Sequence, residues 1–589
     1  MSCRRLPRGC LGGVLVLLVL GAAESFAQQV ARPRVAQGSG GAVASVCPYA
    51  TRTGIEVLRE GGNAVDAAVA MAFTLAVTWP EAGNIGGGGF MLVLPGPGQP
   101  VWCVDYRETA PAAAKVNMYP LGEKSLGARY VGTPGTVAGL HLAHCRFGRL
   151  PWRRLLRDAI QLAEQGFEVT EPLARSLNRV LQDPDSKPFD GLRQTFGHPQ
   201  GRPWRKGDRL RQPQLAATLR LLAREGPRPF YQGKIAQQIV AQMQASGGLI
   251  TAQDLARYQA KLRVAVQAVY RGYTVYGAPP PSSGGVCTAL ALNQLEHFPL
   301  RKWGADSPRT WHAVAEAMRR SFLDRARHLG DPDFVTIPRF LTTKTYAARL
   351  ARGIDLQQAT PSRELAPDLP ITAEGTQTTH FSVVDGQGMA VANTYTLEMS
   401  YGSRVVVRGA GFLLNNEMGD FNRKAGHTDT RGNIGTAANL PAPGKRMLSS
   451  QSPTIVTRGG RVVLVLGSPG GRTIINTVVC LLVRTLGLGE PLPEAVAAPR
   501  IHHQWLPDRV MAEQCNDPRW EKVLQGLRRR GHQVVFYPGT QGDAHCVAVD
   551  PATGLLVAVA DTRRQGAAAV LRPQRPGNSS PPQQGKNVK

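Results

Sequence analysis

The chain has 589 residues, of which 42% are hydrophobic and 19% charged; 69 Lys and Arg oppose 42 Asp and Glu, a formal net charge of +27. This composition is globular and excludes a disordered polyelectrolyte, and the length suits two or more domains or one large enzyme fold. The basic residues are spread along the chain, densest from Arg193 to Arg211, with no zinc-finger, basic-helix or RNA-binding aromatic pattern. Nucleic acid is therefore not an expected partner; the charge reads as a soluble basic surface whose positive field would also draw in small anionic substrates.

Arg4, Arg5 and Arg8 precede an uncharged, mostly apolar stretch from Gly9 to Ala23, and Ser25-Phe26-Ala27 supplies the small residues that a signal peptidase reads. The stretch is short for a membrane span of about 20 residues. This predicts a signal peptide over 1–27, cut after Ala27, and a periplasmic or extracellular protein with no stable membrane span. Seven cysteines follow the leader, odd in number, widely spaced and without a C-x-x-C. They predict small buried residues, with one or two bridges allowed, and neither a zinc site nor a dense disulfide framework.

The Ala, Val and Ile spacing from Gly54 to Val77 predicts one buried helix. The glycine run Gly86 to Gly89 lacks the Lys-Ser/Thr of a P-loop and predicts close backbone packing. Strands are predicted over Phe90–Leu94 and Val101–Tyr106. The region from about 135 to 350 reads mainly as helices, among them Trp152–Gln165, Gln214–Arg224, Gly233–Gln244 and Pro308–Leu329. Residues 353–377 are polar, Pro-containing and aperiodic, and predict an exposed loop. The pattern then changes to strands at Thr378–Asp385, Met389–Leu397, Ser452–Thr457, Val462–Leu466, Val534–Tyr537, Cys546–Val549 and Leu556–Ala560. Residues 572–589 predict a disordered tail.

No G-x-S-x-G, H-E-x-x-H or S-x-x-K set is present. His502 and His503 are adjacent on a strand and point to opposite faces, which argues against a joint metal site. Glu417 and Asp420 are candidate paired carboxylates, but no second feature supports glycoside chemistry. A threonine hydroxyl is a weak nucleophile that needs a base. If the bond before Thr378 breaks, the new α-amine, with an ordinary pKa of about 7.7–8.0, is such a base. By local pattern alone Thr378 is an ordinary strand residue.

A set of ordered segments changes that weighting. It comprises Gly61 to Ala68 (GGNAVDAA), the glycine run at 86–89, Asp105 to Glu108 (DYRE), Gly132 to Gly135 (GTPG), Gly248 to Tyr258, Pro279 to Gly285 and Gly330 to Asp333. It continues with Thr378 to Ser382 (TTHFS), Leu414 to Phe421 (LNNEMGDF), Lys445 to Ser450 (KRMLSS), Gly467 to Gly471 (GSPGG) and Arg500 to Pro507. From about Gly54 to about Ala567 the chain thus resembles the gamma-glutamyltransferase (glutathione hydrolase) family of N-terminal nucleophile hydrolases.

The resemblance implies an α+β, four-layer αββα sandwich. Self-cleavage between Gln377 and Thr378 would yield a large subunit (28–377) and a small subunit (378–589) that stay together as a heterodimer. It implies Thr378 as nucleophile, Thr396 as its supporting hydroxyl, and Gly470 and Gly471 as the oxyanion hole. Arg107, Ser449 and Ser450 would hold the α-carboxylate of the donor, and Glu398, Glu417 and Asp420 its α-ammonium. The implied substrates are glutathione and other gamma-glutamyl compounds, with water, amino acids or dipeptides as acceptors, and neither metal nor other cofactor. Gly419 and Met447 depart from the family's usual Asp and Pro. Asn422–Gly444 matches a lid loop, with Arg431 where some relatives carry a closing aromatic. The rival expectations are a cephalosporin (glutaryl) acylase sharing Thr378, and an uncleaved, non-catalytic secreted binding protein.

Overall fold

Alternation within single strands sets the layers. In Gly41–Ser45, Ala42 and Ala44 face one way and Val43 the other, and all three are fully buried. Both faces of this strand are covered, so the polar side of a half-exposed strand is missing. In the computed structural model, which describes residues 32–366 and 378–572, the strand belongs to a seven-stranded sheet. Its order is Ala567–Val570, Gly41–Ser45, Thr379–Asp385, Ala390–Thr396, Gly88–Leu94, Trp102–Asp105 and Lys261–Val264. A second seven-stranded sheet runs Arg34–Gly38, Leu556–Ala560, His545–Val549, Arg461–Leu466, Thr454–Arg458, Tyr273–Gly277 and Val266–Tyr270.

Ala42, Ala44, Phe90 and Leu92 of the first sheet meet Ile455, Val465, Val547 and Ala558 of the second. The opposite face of the first sheet, with Val43, Met91, Val93 and Val383, packs on helices Pro48–Arg59 and Ala64–Thr78. The opposite face of the second, with Val275, Val456 and Leu464, packs on Pro308–His328 and Thr473–Leu482. The layers are helix, sheet, sheet, helix, which is the expected αββα sandwich. Among the described residues no helix is long and apolar enough to cross a membrane.

Several expectations need correction. The single helix over Gly54–Val77 is two, Pro48–Arg59 and Ala64–Thr78. Gly61 takes φ +87°, and Asn63 starts the second helix by accepting the Val65 and Asp66 N–H groups while Asp66 answers the Asn63 N–H. An apolar pattern that continues across the break hides this restart. The middle region is mainly helix, as expected, but it also holds the strands Lys261–Val264, Val266–Tyr270 and Tyr273–Gly277; the edge strand Val266–Tyr270 alternates exposure residue by residue, too weakly apolar to stand out. Val534–Phe536 is a strand, but of a separate three-stranded sheet. All seven described cysteines are free, and all except Cys145 and Cys515 are buried, so no bridge joins them. The leader 1–27, the stretch 367–377 with Gln377, and all of the tail beyond Arg572 lie outside the described residues.

Candidate active site

Register brings two threonines together. Thr379 pairs with Tyr395 across adjacent antiparallel strands, so the next step places Thr378 opposite Thr396 at the same sheet end. Each is 3% exposed. Both line one pocket with Arg107, Glu398, Glu417, Asp420, Ser449, Ser450 and Gly471. Residues remote in sequence thus converge on one pocket. Gly470 sits one position behind, its carbonyl accepting the Thr473 N–H at 3.1 Å and the Thr473 hydroxyl at 2.8 Å.

The pocket wall is built from backbone and buried amides. A Cβ on Gly87 would come within 2.1 Å of the Thr396 carbonyl oxygen, which is the close approach that the glycine run permits. Thr396 Oγ1 accepts the Glu398 N–H at 2.9 Å. Glu398 itself has φ +81°, a conformation that an L side chain holds only when its surroundings fix it. Asn416 supplies that restraint by donating to the Glu398 carboxylate and, at 2.8 Å, to the Ser125 carbonyl. Asn415 donates to the Gly86 and Gly132 carbonyls at 2.9 and 2.8 Å and accepts the Glu417 N–H at 3.1 Å. These two asparagines, quoted in a motif but given no role by sequence, fix both acidic walls.

Arg107 is 1% exposed. Its guanidinium contacts Glu417 Oε2 at 2.5 Å, pairs closely with Asp420 and lies 3.6 Å from Glu108 Oε2, while Nε donates to the Met447 carbonyl at 3.3 Å. The backbone N–H of Arg107 is held by Asp105, which also pairs with Arg263 at 2.8 Å. One buried cation among three carboxyls cannot keep all of them ionised cheaply. Burial, with mutual repulsion between the acids adding to it, pushes the Glu417 carboxyl well above the ordinary carboxylate range, and burial takes Glu108 up to about 8. An acid raised in the folded state holds a proton that the unfolded chain has released. Its contribution to stability is therefore present below about 4.5 and is lost as pH rises toward 8. We predict that Glu108→Gln, which mimics the protonated acid, gains melting temperature over the wild type progressively from pH 5 to 8; a difference independent of pH would contradict this.

Ser449 and Ser450 sit where one loop is stitched to another. The Ser449 N–H donates to the Pro281 carbonyl and its own carbonyl accepts the Ser283 N–H, both at 2.8 Å. Ser450 Oγ accepts from Arg325 at 3.1 Å, and Arg325 also donates to Ser283 Oγ at 2.9 Å. Arg325, Gln451, Arg472 and Ile474 complete the pocket lining. Sequence reasoning missed them, because Arg325 reads as one more basic residue on a helix and the others carry no motif signal of their own.

Gly470 and Gly471 have φ +133° and +56° and lead into helix Thr473–Leu482. The unpaired N–H groups of a helix start carry partial positive charge. Just before them, Gly467 lies against His380, whose Cε1 and Nδ1 a Cβ would meet at 2.4 Å. His380 is fully buried between Thr394 Oγ1 at 2.8 Å and Ser382 Oγ at 3.0 Å, and burial holds its pKa well below the ordinary value. It packs against the glycine corner at Gly467. His502 and His503 turn to different partners, Asn476 at 2.7 Å and Asp508 at 3.4 Å. Arg431 does not cover the pocket; it is 76% exposed and pairs with Asp429 at 2.9 Å. The loop that carries it is tied to the glycine corner instead, through Arg472 donating to the Gly432 carbonyl at 3.1 Å.

Comparison with known proteins gives this geometry its context. The family model described as gamma-glutamyltranspeptidase matches residues 50–571. The chain belongs to the gamma-glutamyltranspeptidase family. Within it, the glutathione hydrolase proenzyme of Escherichia coli (strain K12) is 44% identical over 535 residues, covering 89% of this chain and 90% of the relative. The crystal structure of gamma-glutamyltranspeptidase from Helicobacter pylori is 37% identical with TM-score 0.51, covering 54% of this chain and 92% of that one. The cephalosporin acylase from Bacillus halodurans superposes over 92% of this chain and 97% of its own at TM-score 0.82 and 28% identity. The gamma-glutamyltranspeptidase family and its acylase relatives thus share this sandwich.

Proposed function

We propose that this gamma-glutamyltranspeptidase family member is a glutathione hydrolase and gamma-glutamyltransferase that activates itself by cutting between Gln377 and Thr378. The observation that carries the reading is one pocket lined by Thr378, Thr396 and Glu398 together with a buried Arg107 that is paired with Glu417 and Asp420. In maturation the Thr378 hydroxyl attacks the Gln377 carbonyl, the peptide nitrogen leaves as the new α-amine, and water hydrolyses the ester. The products are a large subunit ending at Gln377 and a small subunit beginning at Thr378, held as a heterodimer by the shared sheets.

In turnover the Thr378 hydroxyl attacks the γ-carbonyl of the donor and passes its proton to its own α-amine. Backbone N–H groups at Gly470 and Gly471 receive the developing oxyanion; loss of such a donor typically costs about 10²–10³ in rate. The proton then goes to the departing amine, and a γ-glutamyl ester remains on Thr378 for water or an acceptor amine. Arg107, with Ser449 and Ser450, grips the donor α-carboxylate. Glu398, Glu417 and Asp420 receive the α-ammonium, whose charge favours ionisation of the raised Glu417 carboxyl. An amino-terminal leader supports export, to a periplasm or the cell exterior.

The likeness to a cephalosporin acylase favours one rival. A glutaryl head has no α-ammonium, so it would bring no cation of its own to Glu398, Glu417 and Asp420, beyond Arg107 already in the wall. The test is turnover of γ-glutamyl-p-nitroanilide beside a glutaryl-cephalosporin. The reading expects clear preference for the γ-glutamyl donor; turnover of the glutaryl compound alone would overturn it.

A further inference from the structure

A groove beside the candidate pocket shares Glu398 with it and is lined by Ser125, Gly419 and Arg423. Arg423 is set apart from the other cations there by its partners. Lys124 pairs with Asp185, and Arg431 with Asp429. Arg423 donates to the Pro120 carbonyl at 3.1 Å, the Tyr130 hydroxyl at 3.3 Å and Ser125 Oγ at 2.7 Å, and its guanidinium lies 5.5 Å from the Tyr130 ring centroid. All of these partners are neutral. They orient the fork without cancelling its charge, and they leave Nε–H and one Nη2 hydrogen to donate to a carboxylate. Of the acids on the groove, the Glu398 carboxylate is engaged by Asn416.

Gly419 makes the arrangement possible. A Cβ there would come within 2.4 Å of Ser125 Oγ and 2.9 Å of Ser125 Cβ. A side chain at 419 would displace the serine that steadies Arg423. The departure from the family's usual Asp at this position therefore goes together with a cationic wall.

We propose that Arg423 is a specificity-determining residue that binds the carboxylate of the amine partner, the peptide that leaves the γ-glutamyl carbonyl or the one that attacks it. The inference rests on the γ-glutamyl reading of the neighbouring pocket. The pocket holds the glutamyl head, so the amine side of the scissile bond must extend outward. The groove that meets the pocket at Glu398 is where a short peptide ending in a carboxylate would run.

The test compares wild type, Arg423→Met, which keeps the stem on Tyr130, and Arg423→Lys, which keeps the charge. Donors are glutathione, whose leaving dipeptide ends in a carboxylate, and γ-glutamyl-p-nitroanilide, whose leaving group has none. Acceptors are glycylglycine and its amide. Losing a charged hydrogen-bonded partner predicts that the glutathione to p-nitroanilide ratio of kcat/KM falls about tenfold or more in Arg423→Met, through KM, with partial recovery in Arg423→Lys. A fall confined to glycylglycine over its amide would assign the carboxylate to the acceptor. Ratios unchanged in both arms, or an equal fall on all substrates, would overturn the proposal. Failure of the wild type to turn over either donor would instead refute the γ-glutamyl reading itself.

Discussion

Thr378→Ala is expected to remain a single uncut chain and to lose γ-glutamyl turnover by roughly 10⁴-fold or more, the scale on which removal of a nucleophile acts. Both effects follow from one atom. The hydroxyl opens the Gln377–Thr378 bond and later attacks the donor, and the amine that serves as base exists only after the first event. Thr378→Ser keeps the hydroxyl and should cleave and turn over at reduced rate, whereas alanine should do neither. Gel electrophoresis of the purified protein and a p-nitroanilide assay read the two effects separately. Activity in an uncut Thr378→Ala chain would rule out this role. The fold itself should survive, since Thr378 precedes its strand and makes none of the inter-sheet core.

The second large effect is expected at Arg107. Arg107→Lys should still cut itself, because that step needs no glutamyl head. It should lose about 10²–10³ in kcat/KM for a γ-glutamyl donor, mainly through KM, since one ammonium cannot replace a fork making two charged hydrogen bonds. Arg107→Met should fare worse. It leaves Glu417, Asp420 and Glu108 in the wall with no cation among them, a loss of about 3–5 kcal/mol of stability by the measure of broken buried pairs. Denaturant unfolding beside donor kinetics separates the two consequences. Wild-type KM in Arg107→Lys would contradict a carboxylate-binding role.

The layered fold was legible where both sheet faces are apolar. Gly88–Leu94 and Leu556–Ala560 stand out because every residue, or nearly every one, is buried. The strands at 261–277 were not legible, since exposed or half-exposed residues dilute their apolar signal; Val266–Tyr270 and Tyr273–Gly277 form a local hairpin, whereas Lys261–Val264 pairs with the distant Trp102–Asp105. The site was legible mainly through ordered motifs. Thr378, Arg107 and Asp420 are each unremarkable alone, and only register and tertiary approach bring them together. What sequence could not supply is the buried environment that raises Glu108 and Glu417. Nor could it supply the roles of Asn415 and Asn416, the presence of Arg325, or the contact that makes Gly419 an opening for Ser125. The sequence places Arg431 where some relatives carry a closing aromatic and leaves the lid's closure open; the residue lies on the exposed rim of the adjoining groove, tied to Asp429.

The central claim is that Thr378 becomes a new amino terminus. Amino-terminal sequencing of the smaller band of the purified wild-type protein tests it most directly. The account predicts a chain beginning Thr-Thr-His-Phe-Ser. A single intact chain, or a small chain that begins at any other residue, would contradict it.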